Sequence, residues 1–181
     1  MDIVDFPALT NDQRAQAAQV MRAGFAPIGA YQGEAADAEV TTFFEDPDRF
    51  ALAALIEGVV VGFVGGIDSY PKAVELHPMV VDPAHQAKGV GAALLAALEA
   101  RAAAMGKLTV YLGTDDEIGG TSLFAAEVFP GALAKLAAIE PTSGHAFFFY
   151  RRHGYEPVGL IPDANGYGKP DLLMAKRVAK P

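Results

Sequence analysis

Glu75-Leu76-His77-Pro78-Met79-Val80-Val81-Asp82-Pro83-Ala84-His85-Gln86-Ala87-Lys88-Gly89-Val90-Gly91 reads as a strand, a tight turn and the start of a helix. Met79, Val80 and Val81 are apolar and partly β-branched, the composition of a buried strand. Asp82-Pro83 ends that strand, because proline has no N–H to give to a ladder. Gln86 to Gly91 then opens a helix. Gly89 and Gly91 let backbone N–H groups face outward with no Cβ in the way. Unpaired N–H groups at a helix N-terminus, reinforced by the helix dipole, form an anion site that suits a pyrophosphate.

Two familiar phosphate motifs are excluded. The dinucleotide fingerprint needs a third glycine where Leu94 stands, and a P-loop needs a Gly-Lys-Ser/Thr that does not follow. Beyond the stretch, Lys88 to Ala104 is expected as a long helix with Val90, Leu94, Leu95, Leu98 and Met105 along one stripe, ended by Gly106. Leu108 to Leu112 should form a strand parallel to the central one, joined to it by a right-handed crossover. Gly113 to Gly120 is a polar loop. Pro130 to Ile139 and His145 to His153 read as short helices, the second stopped by Gly154. Tyr155 to Leu160 and Leu172 to Val178 close the sheet across a turn-rich segment.

On the N-terminal side, Ile3 to Phe6 reads as a strand. Asn11 to Phe25 reads as a helix capped by Thr10 or Asn11, burying Ala15, Ala18, Val20, Met21 and Phe25. Glu34 to Glu45 is a second helix, stopped by Asp46-Pro47. Tyr31, Phe43, Phe44 and Glu45 are candidates for substrate contacts, with core packing the competing role for each phenylalanine. Phe50 to Ile56 and Val59 to Ile67 form a hairpin around Glu57-Gly58. With 181 residues, no internal repeat and no linker, a single domain over residues 1–181 is expected.

Composition narrows the function. Apolar residues make up 51% of the chain, enough for a sizeable core. No run is long enough for a membrane span, and the acidic N-terminus lacks a signal-peptide pattern, so a cytoplasmic location is expected. The absence of cysteine excludes disulfides, a thiolate metal site and a cysteine nucleophile. No metal is expected. The net charge of −8 argues against a nucleic-acid partner and draws cations through the summed field.

Gln86-x-x-Gly89-x-Gly91 after Val80-Val81-Asp82-Pro83 resembles the acetyl-CoA pyrophosphate loop of GNAT-type N-acetyltransferases. Glu75-Leu76-His77-Pro78, Leu112-Gly113-Thr114-Asp115-Asp116-Glu117, Phe149-Tyr150-Arg151-Arg152-His153-Gly154-Tyr155 and Ile161-Pro162-Asp163-Ala164-Asn165-Gly166 together resemble one branch of bacterial aminoglycoside 6′-N-acetyltransferases. The likeness runs from about Ala51 to Val178. Relatives usually carry tryptophans in the N-terminal helices; this chain has none. Ser143 stands where the superfamily often has an asparagine near the cofactor. The resemblance implies an α/β GNAT fold: a mixed, mostly antiparallel twisted sheet flanked by helices, with a splayed parallel strand pair admitting acetyl-CoA. It also implies acetyl transfer to a cationic small-molecule amine, the 6′-amine of an aminoglycoside antibiotic, and hence resistance. A polyamine, another small amine or a peptide is the alternative acceptor, and a non-catalytic acyl-CoA-binding module the alternative class. Relatives are often dimers, so a homodimer is one expectation.

The chemistry assigns roles. An ammonium has no lone pair, so the acceptor must lose a proton before it attacks. The resemblance makes Glu75 the leading candidate to orient the amine and take its proton, directly or through water; an exposed strand-end carboxylate is its alternative reading. His77 shares its strand face and is a candidate for substrate binding or proton relay, with a hydrogen-bonded structural histidine as the alternative role. Asp115 is expected to bind acceptor amines, with Asp116, Glu117 and Glu140 as further substrate candidates; a solvated turn is the other reading of the Asp115-Asp116-Glu117 run. Tyr150 is the candidate donor to the departing thiolate, and a core aromatic is its alternative role. Met79, Val80 and Val81 should hold the pantetheine arm. Gln86, Ala87, Lys88, Gly89, Val90, Gly91 and Ala92 should hold the pyrophosphate.

Overall fold

The computed structural model describes residues 1–180 and divides into two compact units. Of the described residues, the first comprises 1–110 and 178–180; the second is Tyr111–Arg177.

In the first unit, β1 (Asp2–Asp5), β2 (Arg49–Ile56), β3 (Val59–Tyr70) and β4 (Ala73–Val81) lie side by side in chain order, each pair antiparallel. The helices are α1 (Asn11–Phe25), α2 (Ala35–Glu45) and α3 (Val90–Ala104). β5 (Thr109–Asp115) starts in this unit beside β4 and parallel to it, as a strand–helix–strand crossover requires. The N–H groups of Leu108 and Thr109 donate to the Lys72 carbonyl at 2.9 and 3.2 Å, which aligns the two strand starts. The fold is thus the expected mixed α/β class, antiparallel ladders with one parallel pair.

α1 begins as its sequence dictates. Thr10 Oγ1 accepts from the Gln13 N–H at 3.2 Å, and Gln13 Oε1 accepts from the Thr10 N–H at 3.0 Å, a complete capping box. The buried stripe is Ala17, Ala18, Val20 and Met21; Ala15, expected inside, is exposed, and Phe25 is half-buried. β1 stops one residue before the expected end, because Pro7 turns the chain into a short 3-10 helix. Phe6 is thereby carried to the centre of the core, with ring centroids 5.5, 5.5 and 5.2 Å from Phe43, Phe44 and Phe63. Phe43 is a core residue at 4% exposure, and Phe44 packs against that core beneath the Arg14 guanidinium, 3.9 Å away. On α3, Met105 falls at the C-cap and is part-exposed, while Ala102 takes the buried place expected of it.

β4 carries the one irregularity that bears on the site. Met79 lies opposite Val64 and Leu76 opposite Gly66, so β4 uses three steps where β3 uses two. This extra residue, a β-bulge, falls at His77-Pro78, where proline cannot complete the ladder anyway. Side chains still alternate: Val74, Leu76, Pro78 and Val80 are buried, whereas Glu75, His77, Met79 and Val81 are half-exposed.

In the second unit the strand order is β5, β7 (Asp171–Arg177), β6 (Glu156–Ile161), with β6 and β7 antiparallel. α4 (Ala132–Ala137) and α5 (Ala146–Arg152) complete it. β5 runs three residues beyond Leu112, so Gly113, Thr114 and Asp115, expected in a loop, are strand. Among the described residues, no helix is long and apolar enough to cross a membrane.

Candidate functional site

In the first unit, the loop after β4 is held from within. Asp82 Oδ1 accepts from the Ala84 N–H at 2.8 Å, and Gln86 Nε2 donates to the Val81 carbonyl at 3.1 Å. Lys88 Nζ donates to the Ala84 carbonyl at 2.8 Å. Gly89 is the N-cap of α3 with φ +86, a conformation open to glycine and strained for other residues. No side chain caps this helix. The first intrahelical bond from this cap is the Ala93 N–H to the Gly89 carbonyl at 3.0 Å, so the N–H groups of the first turn have no intrahelical partner. A Cβ added to Gly89 would meet nothing within 4 Å. The helix is 15 residues long, so its dipole is fully developed. Open space, orphan donors and the Lys88 ammonium suit a pyrophosphate. The expected pyrophosphate residues Gln86, Ala87, Lys88, Gly89, Val90, Gly91 and Ala92 lie in this loop and the first turn of α3; Val90 itself is buried.

On β4, Glu75 and His77 share the half-exposed face with Met79 and Val81, as period-two alternation requires. His77 Nε2 lies 3.2 Å from the Tyr31 hydroxyl and 3.9 Å from Glu39 Oε1. That same Glu39 oxygen accepts from the Arg49 guanidinium at 2.7 Å. Tyr31 is thus tied to a candidate residue, and Glu39, which carries no motif, stands behind it. Glu45 is exposed at the end of α2. Contacts between residues 46 positions apart, as for Tyr31 and His77, leave no trace in a periodic pattern.

In the second unit, the three consecutive acids part company. Asp115 is exposed at the end of β5, and Asn165 Nδ2 donates to its Oδ1. Asp116 is 0% exposed. Its carboxylate accepts from the N–H groups of Gly119, Gly120 and Thr121 at 3.0, 2.8 and 2.8 Å. It fastens the loop and has no surface left for a substrate amine, which removes it from the acceptor candidates. Glu117 is half-exposed, and Glu140 is exposed where Thr121 bridges Pro141. Asn165 was legible only as the Asn-Gly of a turn.

Tyr150 lies on α5 at 5% exposure, its ring 5.3 Å from Phe149 and 5.6 Å from Tyr155. Burial pushes its phenol well above the ordinary tyrosine value, because the phenolate would lose its hydration. The group is therefore protonated throughout the physiological range. α5 itself starts from His145, whose Nδ1 accepts from the Phe147 N–H at 3.1 Å. Among the described residues, no cluster of three or more His, Cys, Asp or Glu side chains is arranged to hold a metal.

Comparison with curated proteins gives no match. Among solved structures, the chain is similar to an aminoglycoside 6′-N-acetyltransferase complexed with coenzyme A, with 34% identity and a TM-score of 0.93 over 100% of this chain and 99% of that one. It is similar to the aminoglycoside 6′-N-acetyltransferase from Enterococcus faecium, with 34% identity and a TM-score of 0.91 at the same coverage. An aminoglycoside 6′-acetyltransferase type Ii matches at 30% identity and a TM-score of 0.75, again over 100% of this chain and 99% of that one. The model of the acetyltransferase (GNAT) family matches residues 19–122, a span that includes β4, the Gln86–Gly91 loop and α3. On both grounds the chain belongs to the GNAT family of acetyltransferases, whose acyl donor is acetyl-CoA.

Proposed function

We propose that this acetyltransferase acetylates the 6′-amine of an aminoglycoside and so confers resistance, with residues 1–181 working as one catalytic domain. The observation that carries the reading is the full-length likeness to three 6′-N-acetyltransferases at 30–34% identity. The net charge of −8 and the exposed Asp115 carboxylate support a polycationic acceptor. Acetyl-CoA, when bound, supplies a thioester; everything else is the work of this chain. The first turn of α3 and Lys88 hold the pyrophosphate. The backbone of Met79, Val80 and Val81 holds the pantetheine arm. Glu75 orients the acceptor amine and takes its proton, and His77 on the same face assists. Asp115 receives an acceptor ammonium, with Glu117 and Glu140 adding negative field. The cytoplasm is the expected compartment, and a homodimer the expected assembly.

Tyr150 donates a hydrogen bond to the leaving sulfur. An ordinary thiol has a pKa of about 8.5, far below that of this buried phenol, so the tyrosine stabilises the thiolate without surrendering its proton. Tyr150→Phe keeps the ring contacts and removes one charge-assisted bond. A fall in kcat of about ten- to hundredfold with unchanged folding is expected; full activity would leave Tyr150 as a core aromatic only. Asp115→Asn retains an acceptor for Asn165 but loses the charge. It is expected to raise KM for a cationic acceptor about tenfold and leave KM for acetyl-CoA unchanged. Equal effects on both constants would remove Asp115 from acceptor binding.

The decisive assay is release of coenzyme A thiol from acetyl-CoA with aminoglycosides bearing or lacking a 6′-amine, and with spermidine. Release confined to 6′-amino drugs is the expected result. Release with spermidine alone would keep the reaction and replace the acceptor. Acetyl-CoA binding without release across the panel would overturn the aminoglycoside reading.

A further inference from the structure

His145 is placed where no motif puts a functional group, yet its two ring nitrogens face partners of opposite character. Nδ1 lies 3.1 Å from the Phe147 N–H, which can only donate. Nε2 lies 3.0 Å from the Asp115 carbonyl, which can only accept. One species satisfies both: the neutral imidazole with its proton on Nε2 and its lone pair on Nδ1. The other tautomer sets N–H against N–H at one end and lone pair against carbonyl at the other.

The ring is also fixed in place. A Cβ added to Gly120 would come within 2.6 Å of His145 Cβ and 2.8 Å of Cδ2, so the imidazole lies directly on the Gly120 backbone. That backbone is itself pinned, its N–H donating to the buried Asp116 carboxylate at 2.8 Å. The segment leading to His145 hangs on the same loop: Thr142 Oγ1 donates to the Gly119 carbonyl at 2.6 Å, and the Thr142 N–H to the Gly120 carbonyl at 3.2 Å. Asp116 thus sets the loop, the loop seats the ring, and the ring joins the end of β5 to the start of α5.

We propose that His145 is a positioning residue for acetyl transfer, an Nε2–H imidazole that holds the Asp115 backbone and the helix bearing Tyr150 in one fixed relation. The assignment of its consequences rests on the acetyltransferase reading above, in which Asp115 meets the acceptor and Tyr150 the leaving group. The two bonds are separable by substitution. His145→Asn keeps a good N-cap acceptor for Phe147, since asparagine is among the preferred capping residues, but is too short to reach the Asp115 carbonyl. His145→Ala loses both bonds.

His145→Asn is expected to raise acceptor KM about tenfold, with kcat, acetyl-CoA KM and melting temperature close to those of the parent. His145→Ala should show the same rise in KM and, in addition, a several-fold fall in kcat and a lower melting temperature. Nitrogen-15 NMR of the full-length protein, with the His145 signals assigned by loss in His145→Asn, should show the neutral ring protonated at Nε2. A Nδ1–H tautomer, an unchanged acceptor KM in His145→Asn, or the same loss of kcat in both variants would overturn the proposal. Failure of every aminoglycoside to turn over would instead strike the functional reading; the NMR result is independent of turnover and separates the two.

Discussion

Gly89→Glu is expected to abolish acetyl-CoA binding, with a loss of at least about a hundredfold in affinity. Three effects act together. The left-handed φ of +86 disfavours any L side chain, by roughly 1–2 kcal/mol. The added carboxylate meets no protein atom near its Cβ, so it enters the open space in front of the first turn of α3. There it takes the donors that the pyrophosphate needs and repels its charge. Gly89→Ala supplies the contrast, because it carries the backbone strain without the charge. Its loss of affinity should be modest and its loss of stability about 1 kcal/mol. Isothermal titration with acetyl-CoA checks both, and an unchanged affinity in Gly89→Glu would remove the loop from the cofactor site.

Asp116→Ala is expected to cost about 3 kcal/mol or more in stability. Three backbone N–H groups, two of them buried, lose the Asp116 carboxylate as acceptor, and hydrogen bonds to a charged group are worth about 1.5–3 kcal/mol each. For a chain of this size, such a loss lowers the melting temperature by about 6–12 °C. Thermal denaturation followed by circular dichroism reads it directly. A substrate-binding Asp116 would behave in the opposite way, with a raised acceptor KM and an unmoved melting temperature. A shift below about 2 °C would contradict the loop-fastening role.

The elements legible in the sequence are those governed by local rules. Thr10 and Gln13 announce the start of α1 three residues apart, and Glu57-Gly58 marks the β2–β3 turn, because capping and turn chemistry act within a few positions. The crossover from β4 through α3 to β5 follows from element order alone. Misplaced features have non-local causes. Ala102 is buried where Met105 was expected, and Ala17 where Ala15 was, since alanine carries too little apolar signal to mark a face. Gly113-Thr114-Asp115 has turn composition but remains strand. Asp115, Asp116 and Glu117 are alike in the sequence; only the folding back of Gly119–Thr121 makes the middle one structural. Asn165 reaches Asp115 across 50 positions and His145 across 30, distances over which no periodicity speaks.

The bulge in β4 bears on how this chain can change length. Glu75 and Met79 point to the same side although their partners on β3, Ile67 and Val64, are an odd number of positions apart. The extra residue at His77-Pro78 reconciles the two counts. Deleting one residue there would restore an even ladder and send Glu75 and Met79 to opposite faces. No substitution elsewhere repairs such a parity error. Insertions and deletions should therefore be absent from β4 in working variants. For this strand, the count of residues fixes which face Glu75 occupies as firmly as residue identity fixes what stands there.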